Sequence, residues 1–325
     1  LLHDIGKGWP GDHSRTGAVV ARDMGERLGF GAADVRILES VVRHHLLLPE
    51  TATRRDLDDP VTIETVAEAI GDPVVLETLA ALAIADGLAT GPAAWGTWKA
   101  GLVAELARRV AAVLAGAPPP VAPEPTAEQL ALARHGGGAV RVVGSQITVV
   151  APDRPGLLWQ AAGVLALHRL AVRGARTVSW IEGPTALLEF IAVPEYGSGP
   201  DPAALEVDLR RVLAGRLDVE QRLERRARSY RPRKGVPVPP PRVTMIDDAS
   251  ETATVVEVRA HDRPGLLWRI GHVFGSFGIQ VRAARVETLG AEAVDVFYVV
   301  DAGGDPVTDE TLLATIRAGV LEAVR

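Results

Sequence analysis

The chain has 325 residues, enough for two or three ordinary domains. With 47% hydrophobic and 23% charged residues it has a globular composition, and a formal charge of −6 argues against broad nucleic-acid binding. The absence of cysteine excludes disulfides, thiolate metal sites and cysteine catalysis, and suits a reducing cytoplasm, the expected location.

No basic-then-apolar leader opens the sequence, and no apolar run reaches the ~18 residues that a membrane span needs, so no membrane partner is expected. Leu1-Leu2 runs directly into His3-Asp4 with no cap or turn before it, and the expectation is a fragment whose preceding portion is missing. Two proline-rich runs, 117–125 and Pro232 with Pro237 and Pro239-Pro240-Pro241, lack backbone donors and favour extended linkers. The predicted organisation is a helical domain over 1–115, a linker over 116–140, a domain over 141–228, a linker over 229–250 and a domain over 251–325.

The first segment reads helical. Val20, Met24 and Leu28 keep four-residue spacing, Val35, Leu38, Val42 and His45 follow on a second helix, and Ile63, Val66 and Ile70 mark a third. Val75, Leu79, Leu82 and Asp86 mark a fourth, and Trp95 to Leu114 reads as a fifth, amphipathic and basic near its end. Six groups in this segment are candidates for chemistry: His3, Asp4, His13, His44, His45 and Asp86. Asp86 shares a face with the apolar residues before it, and a carboxylate on a core-facing stripe requires compensation. A cation held jointly with His3 and Asp4 would supply it, and imidazole with carboxylate suits Mn, Fe, Zn or Mg. For Lys7 the residues alone leave open a surface lysine or a cation that stabilises phosphate charge.

The remainder is an internal repeat. Ala151-Pro-Asp-Arg-Pro-Gly-Leu-Leu-Trp159 recurs as Ala260-His-Asp-Arg-Pro-Gly-Leu-Leu-Trp268, an offset of 262 − 153 = 109 positions. Val172 to Arg176 matches Val281 to Arg285, and Ala186 to Val193 matches Ala293 to Val300. Each copy is predicted to fold as a βαββαβ unit, with an antiparallel sheet covered by helices on one face. The Asp-Arg-Pro-Gly turn joins a strand to a helix whose free N–H groups attract an anion, while the aspartate attracts a cation. An amino acid carries both charges; the competing reading is an aspartate that merely caps the helix.

These residues resemble known families. Leu2-His3-Asp4-Ile5-Gly6-Lys7-Gly8 is similar to the metal-binding core of the HD phosphohydrolase superfamily. Gly11-Asp12-His13-Ser14, Val42-Arg43-His44-His45-Leu46, Arg54-Arg55-Asp56-Leu57, Ala85-Asp86, Thr90-Gly91-Pro92, Trp95 and Trp98-Lys99 resemble the uridylyl-removing domain of the PII uridylyltransferase family, in which two ACT domains follow. The resemblance covers essentially the whole chain and implies an α + β multidomain protein, an HD-type helical domain followed by two ferredoxin-like ACT domains. It implies a divalent metal, Mg or Mn, on His3, Asp4 and Asp86. His13, His44 and His45 are implied as catalytic groups that complete a second metal or hold the phosphate, and Lys7 as a catalytic cation.

The family also takes a ligand histidine from a helix before the HD pair and carries a nucleotidyltransferase domain. Neither is found in this sequence, so nucleotide transfer is not expected and the hydrolase site is expected to be incomplete. The implied activity is metal-dependent hydrolysis of the phosphodiester joining UMP or AMP to a tyrosine of the PII protein, with uridylyl and adenylyl left open. Glutamine is implied as the effector, at the contact between ACT domains. Asp262, Gly265, Leu266 and Leu267 are the better candidates there, and Asp153, Gly156 and Leu157 their counterparts. Two other readings are kept: a non-catalytic amino-acid sensor, and a guanosine-tetraphosphate hydrolase. The latter family follows its HD pair with Glu-Asp, where Ile5-Gly6-Lys7-Gly8 stands here.

Overall fold

Six helices occupy the described residues of the first unit, 1–122: α1 His13–Arg27, α2 Ala32–Arg43, α3 Leu47–Arg54, α4 Pro60–Ile70, α5 Pro73–Thr90 and α6 Thr97–Leu114. The computed structural model describes residues 2–325 apart from 92–94, 96, 119–125, 135–137, 180–184, 198, 230–238, 247–248 and 290. Leu1, Pro92, most of the first proline run, Pro232 and Pro237 therefore lie outside the described residues, as does the side chain of Trp98.

Aspartates set several helix starts. Asp12 accepts from the N–H groups of Ser14 and Arg15, and Asp59-Pro60 and Asp72-Pro73 each pair a capping carboxylate with a proline in the first turn, where its missing N–H costs nothing. Ile63, Leu79, Leu106 and Leu48 form the core that α3 to α6 share. Helix α1 corrects the sequence expectation. Its buried face is Gly17, Ala18, Ala21 and Gly25, while Leu28 is 65% exposed. These small residues let backbone approach backbone. A Cβ added to Gly6 would come within 3.0 Å of the His13 carbonyl oxygen and the Gly17 nitrogen, so only glycine lets the His3–Gly8 turn lie against α1.

Helix α5 corrects two more expectations. Val75 and Leu79 are buried, but the stripe leaves the core before its end, and the Asp86 side chain is 48% exposed. Over its 18 residues α5 is also long and apolar enough to cross a membrane by length and composition alone, where no such helix was expected. Here Val75, Leu76, Leu79 and Ala83 pack into the helical core.

The second unit, 123–325, contains α7 Ala127–Ala133, β1 Ala139–Val143, β2 Gln146–Pro152, α8 Leu157–Leu167, β3 Leu170–Ser179, β4 Thr185–Pro194, α9 Pro202–Leu213 and α10 Val219–Ser229. The second copy follows as β5 Arg242–Ile246, β6 Thr254–His261, α11 Leu266–Ser276, β7 Gln280–Leu289, β8 Glu292–Val300 and α12 Glu310–Val324. Each copy thus runs ββαββα, where βαββαβ was expected. The outer strand that the ferredoxin-like pattern places last comes first in the chain, as β1 and β5, and pairs antiparallel with the turn-bearing strand.

The two copies form one eight-stranded sheet in the order β1-β2-β4-β3-β7-β8-β6-β5. The seam is β3 against β7, with Ala175 opposite Ala284. Since 284 − 175 = 109, equivalent residues face each other and the copies are related by a local two-fold. Both seam strands bulge at equivalent places, between Val172 and Gly174 and between Val281 and Ala283. Along β8, Ala293, Phe297 and Val299 face the core that includes Phe274 and Trp268, while Val296, Tyr298 and Val300 form a smaller cluster on the other face.

Candidate metal centre and the repeated turns

Three segments of the helical unit bring their polar side chains together: the His3–Gly8 turn, the start of α1 and the end of α2. Asp4 is the centre. Its Oδ2 lies 3.2 Å from His3 Nε2 and 2.6 Å from Lys7 Nζ, and its Oδ1 lies 3.5 Å from His45 Nε2 and 3.8 Å from His13 Nε2. The His45 ring centroid is 5.3 Å from those of both His3 and His13. Asp86 reaches the group from α5, its Oδ1 3.5 Å from His3 Nε2.

His45 is buried, and its Nδ1 lies 2.7 Å from the Val42 carbonyl oxygen. A carbonyl only accepts, so Nδ1 carries the hydrogen and the Nε2 lone pair faces Asp4. Both ring nitrogens of His3, and Nε2 of His13 and of His45, are buried without a hydrogen-bond partner among the described residues. Buried imidazole nitrogens without partners, three of them within 3.8 Å of one carboxylate, would be costly without a further occupant. One atom each from Asp4, His13 and His45 lies within 4.8 Å of the others, a span one ion bridges. Burial pushes the Asp4 carboxyl up, but the Lys7 bond, and the charge of His3 and His45 when these rings are protonated, outweigh it and hold it below its ordinary value.

The geometry regroups the residues singled out in the sequence. His13 and His45, read as catalytic, share the ligand-like cluster with Asp4. His3 sits between Asp4 and Asp86, so Asp86 joins the site through its position and not through the buried stripe that first drew attention to it. Lys7 is tied to Asp4 but 65% exposed at its side chain. His44, the C-cap of α2, makes no bond to the cluster among the described residues, and burial followed by the charge of Arg43 lowers its pKa.

In the second unit the turns are built alike. Gly156 and Gly265 cap α8 and α11 with φ of 83° and 79°, and neither helix has a side-chain cap bond. Asp153 and Asp262 are therefore not the caps. Asp262 Oδ2 instead accepts from Thr288 Oγ1 at 3.4 Å, and Thr288 Oγ1 accepts from Arg173 Nη1 at 3.2 Å, which links the two copies. A cavity of about 410 Å³ opens here, lined by Arg173, Asp262, Gly265, Leu266, Leu267 and Asp295 among others. Its two-fold counterpart, about 260 Å³, is lined by Asp153, Gly156, Leu157, Leu188 and Arg282 among others. Sequence reading missed Asp295 and Arg173. The signal was present in the repeat, because the aligned stretches place Asp295 where the first copy has Leu188.

Comparison with known proteins agrees with this division. The HD domain family matches residues 1–90, and the ACT domain family matches residues 254–317. A bifunctional uridylyltransferase/uridylyl-removing enzyme of Streptomyces coelicolor is 45% identical over 376 residues, covering 100% of this chain and 45% of that protein. The enzyme of the same description in Mycobacterium tuberculosis H37Rv is 44% identical over 343 residues, covering 98% of this chain and 42% of that protein. That of Gluconobacter oxydans is 33% identical over 381 residues, covering 100% and 40%. The chain thus spans less than half the length of these curated relatives.

Proposed function

This chain belongs to the family of bifunctional uridylyltransferase/uridylyl-removing enzymes, and from that premise we propose that its helical unit hydrolyses the phosphodiester joining UMP or AMP to a tyrosine of a PII-type protein, under control of glutamine in the second unit. The observation that carries the hydrolase reading is the set of bare, buried imidazole nitrogens converging on Asp4. Asp4, His13 and His45 would hold a divalent ion, Mg or Mn, with His3 and Asp86 beside them. Bound there, such an ion supplies Lewis acidity for a phosphoryl oxygen and lowers the pKa of water.

The chain's own groups do the rest. The Val42 carbonyl fixes the His45 tautomer, so the imidazole presents a lone pair without a conformational search. Lys7, exposed and anchored at Asp4, puts a positive charge at the mouth of the site, where charge on a phosphodiester grows during attack. Gly6 keeps the Asp4 turn against α1 and so holds Asp4 beside His13. Asp86, half-exposed, closes the cluster from α5.

Glutamine would bias the second unit toward one of two states by differential affinity, with a cavity at the repeated turns as its site. The experiment is release of UMP or AMP from modified PII-type protein. Divalent ion should be required, Asp4→Ala and His45→Ala should each abolish release, and glutamine should stimulate it. Full activity in both variants would reject the assigned site.

A further inference from the structure

Two cavities related by the local two-fold suggest two equivalent ligand sites, but their chemistry differs at one position. In β4, Leu188 shares the helix-covered face with Ala186 and Phe190; in β8 the corresponding residue, between Ala293 and Phe297 on that same face, is Asp295. Asp295 is 1% exposed, lines the larger cavity, and its Oδ1 is buried with no hydrogen-bond partner among the described residues. A buried, orphaned carboxyl oxygen costs stability and calls for an occupant that the folded chain does not itself supply.

The surroundings say what that occupant carries. Asp262 stands at the same cavity as a second carboxylate, so a cationic group would be met by two acids. Arg173, thrown out by the β3 bulge, brings a guanidinium of which one donor is used on Thr288, and α11 opens its first turn onto the same space behind Gly265. One cationic and one anionic end are thereby matched across a cavity of about 410 Å³. Among the described residues the two-fold counterpart offers no buried acid. Leu188 replaces it, Arg282 is held by the carbonyl and hydroxyl of Thr252, and Arg154 is held by the Leu213 carbonyl.

Building on the effector reading above, we infer that Asp295 is the counter-charge for the α-ammonium group of the amino-acid effector, and that the repeat pair therefore holds one amino-acid site and not two. Asp295 acts as a specificity-determining residue: it separates ligands that carry an ammonium from otherwise identical ones that lack it. Arg173 and the α11 terminus take the carboxylate end, and the counterpart cavity around Leu188 is left for apolar packing.

Calorimetric titration of the whole protein with glutamine and with 4-carbamoylbutanoate, which is glutamine without its amino group, tests this. The wild-type protein should bind one glutamine per chain and prefer it to 4-carbamoylbutanoate by on the order of 30-fold or more, the effect of removing one partner from a buried charge pair. Asp295→Asn should lose that preference while still binding both weakly, and Asp295→Leu, which copies the first repeat, serves where the asparagine variant is poorly folded. Two equal glutamine sites per chain would overturn the inference, as would an unchanged preference in Asp295→Asn. Those results would leave the effector reading standing. Absence of heat with millimolar glutamine in the wild-type protein would instead remove the effector reading together with this one.

Discussion

Replacing Asp295 by leucine should stabilise the ligand-free protein. The residue is 1% exposed with an unpartnered Oδ1, and removing such a group recovers about 1–3 kcal/mol. A buried leucine adds about 1.5–3 kcal/mol of transfer free energy, but the cavity of about 410 Å³ leaves part of that side chain without packing partners, so a net gain of about 2 kcal/mol is expected. For a unit spanning 123–325 this is a rise of ~4–8 °C in melting temperature. The pH dependence has a definite sign. Burial, then the charge of Asp262, pushes the Asp295 carboxyl well above its ordinary value, with Arg173 opposing, while Glu195 and Arg263 line the same cavity. The folded state then keeps a proton that the unfolded chain releases above about pH 4, so wild-type stability is full below that pH and declines as pH rises toward the raised pKa. Leucine has no such decline. Thermal melts without ligand, followed from pH 4 to pH 8, should show a gap between variant and wild type that widens with pH. A variant melting at or below the wild-type temperature, with a gap independent of pH, would refute the account of Asp295 as an unmatched buried acid.

Three other outcomes test the helical unit and its site. Mn or Mg should raise the melting temperature of the wild-type protein, by the logarithm of ligand excess over its dissociation constant, and leave Asp4→Ala and His45→Ala unmoved; equal shifts in all three would place the ion elsewhere. Gly6→Ala should cost metal affinity by roughly tenfold or more, in the manner of a lost supporting contact, with helical circular dichroism retained, because the added Cβ meets the backbone of α1; unchanged affinity would show that the turn relaxes freely. Glu105, bonded by Arg108 and Arg109, has its carboxyl lowered to about 2, so its stabilising effect is complete above the ordinary value of 4.5 and disappears as pH falls toward 2. Glu105→Gln should melt a few degrees below wild type at pH 6, corresponding to ~1 kcal/mol or less for this partly exposed network, and the two should converge near pH 2.

The repeat, its turns and the clustering of histidine and aspartate near the start were legible because they depend on residue identity at fixed spacing. What escaped depends on neighbours. Periodicity in α1 marked Val20, Met24 and Leu28, yet the buried face is the one that glycine and alanine make narrow enough for close approach, a choice set by the partner and not by hydrophobicity. Helix α3 is short and lay outside the periodic stretches, and it carries Pro49. That residue occupies the first turn, where a proline removes no helical hydrogen bond. Strands β1 and β5 are short, and only pairing with β2 and β6 gives them a place. Asp86 was selected for a burial it does not have, and its proximity to His3 comes from the fold of α5 against the rest of the unit. Asp295 was readable in principle, as a lone acid in the run Val294 to Tyr298, but its meaning needed the cavity.

The hydrogen-bonded seam between β3 and β7 has a consequence for assembly. A half-sheet ending at β3 or β7 would offer a free row of amide and carbonyl groups, the kind of border that recruits a strand from another molecule. Because each copy covers that border of the other, self-association through it is forestalled within a single chain. The strands remaining at the two outer margins, β1 and β5, are only five residues long each, a poor template for further sheet growth.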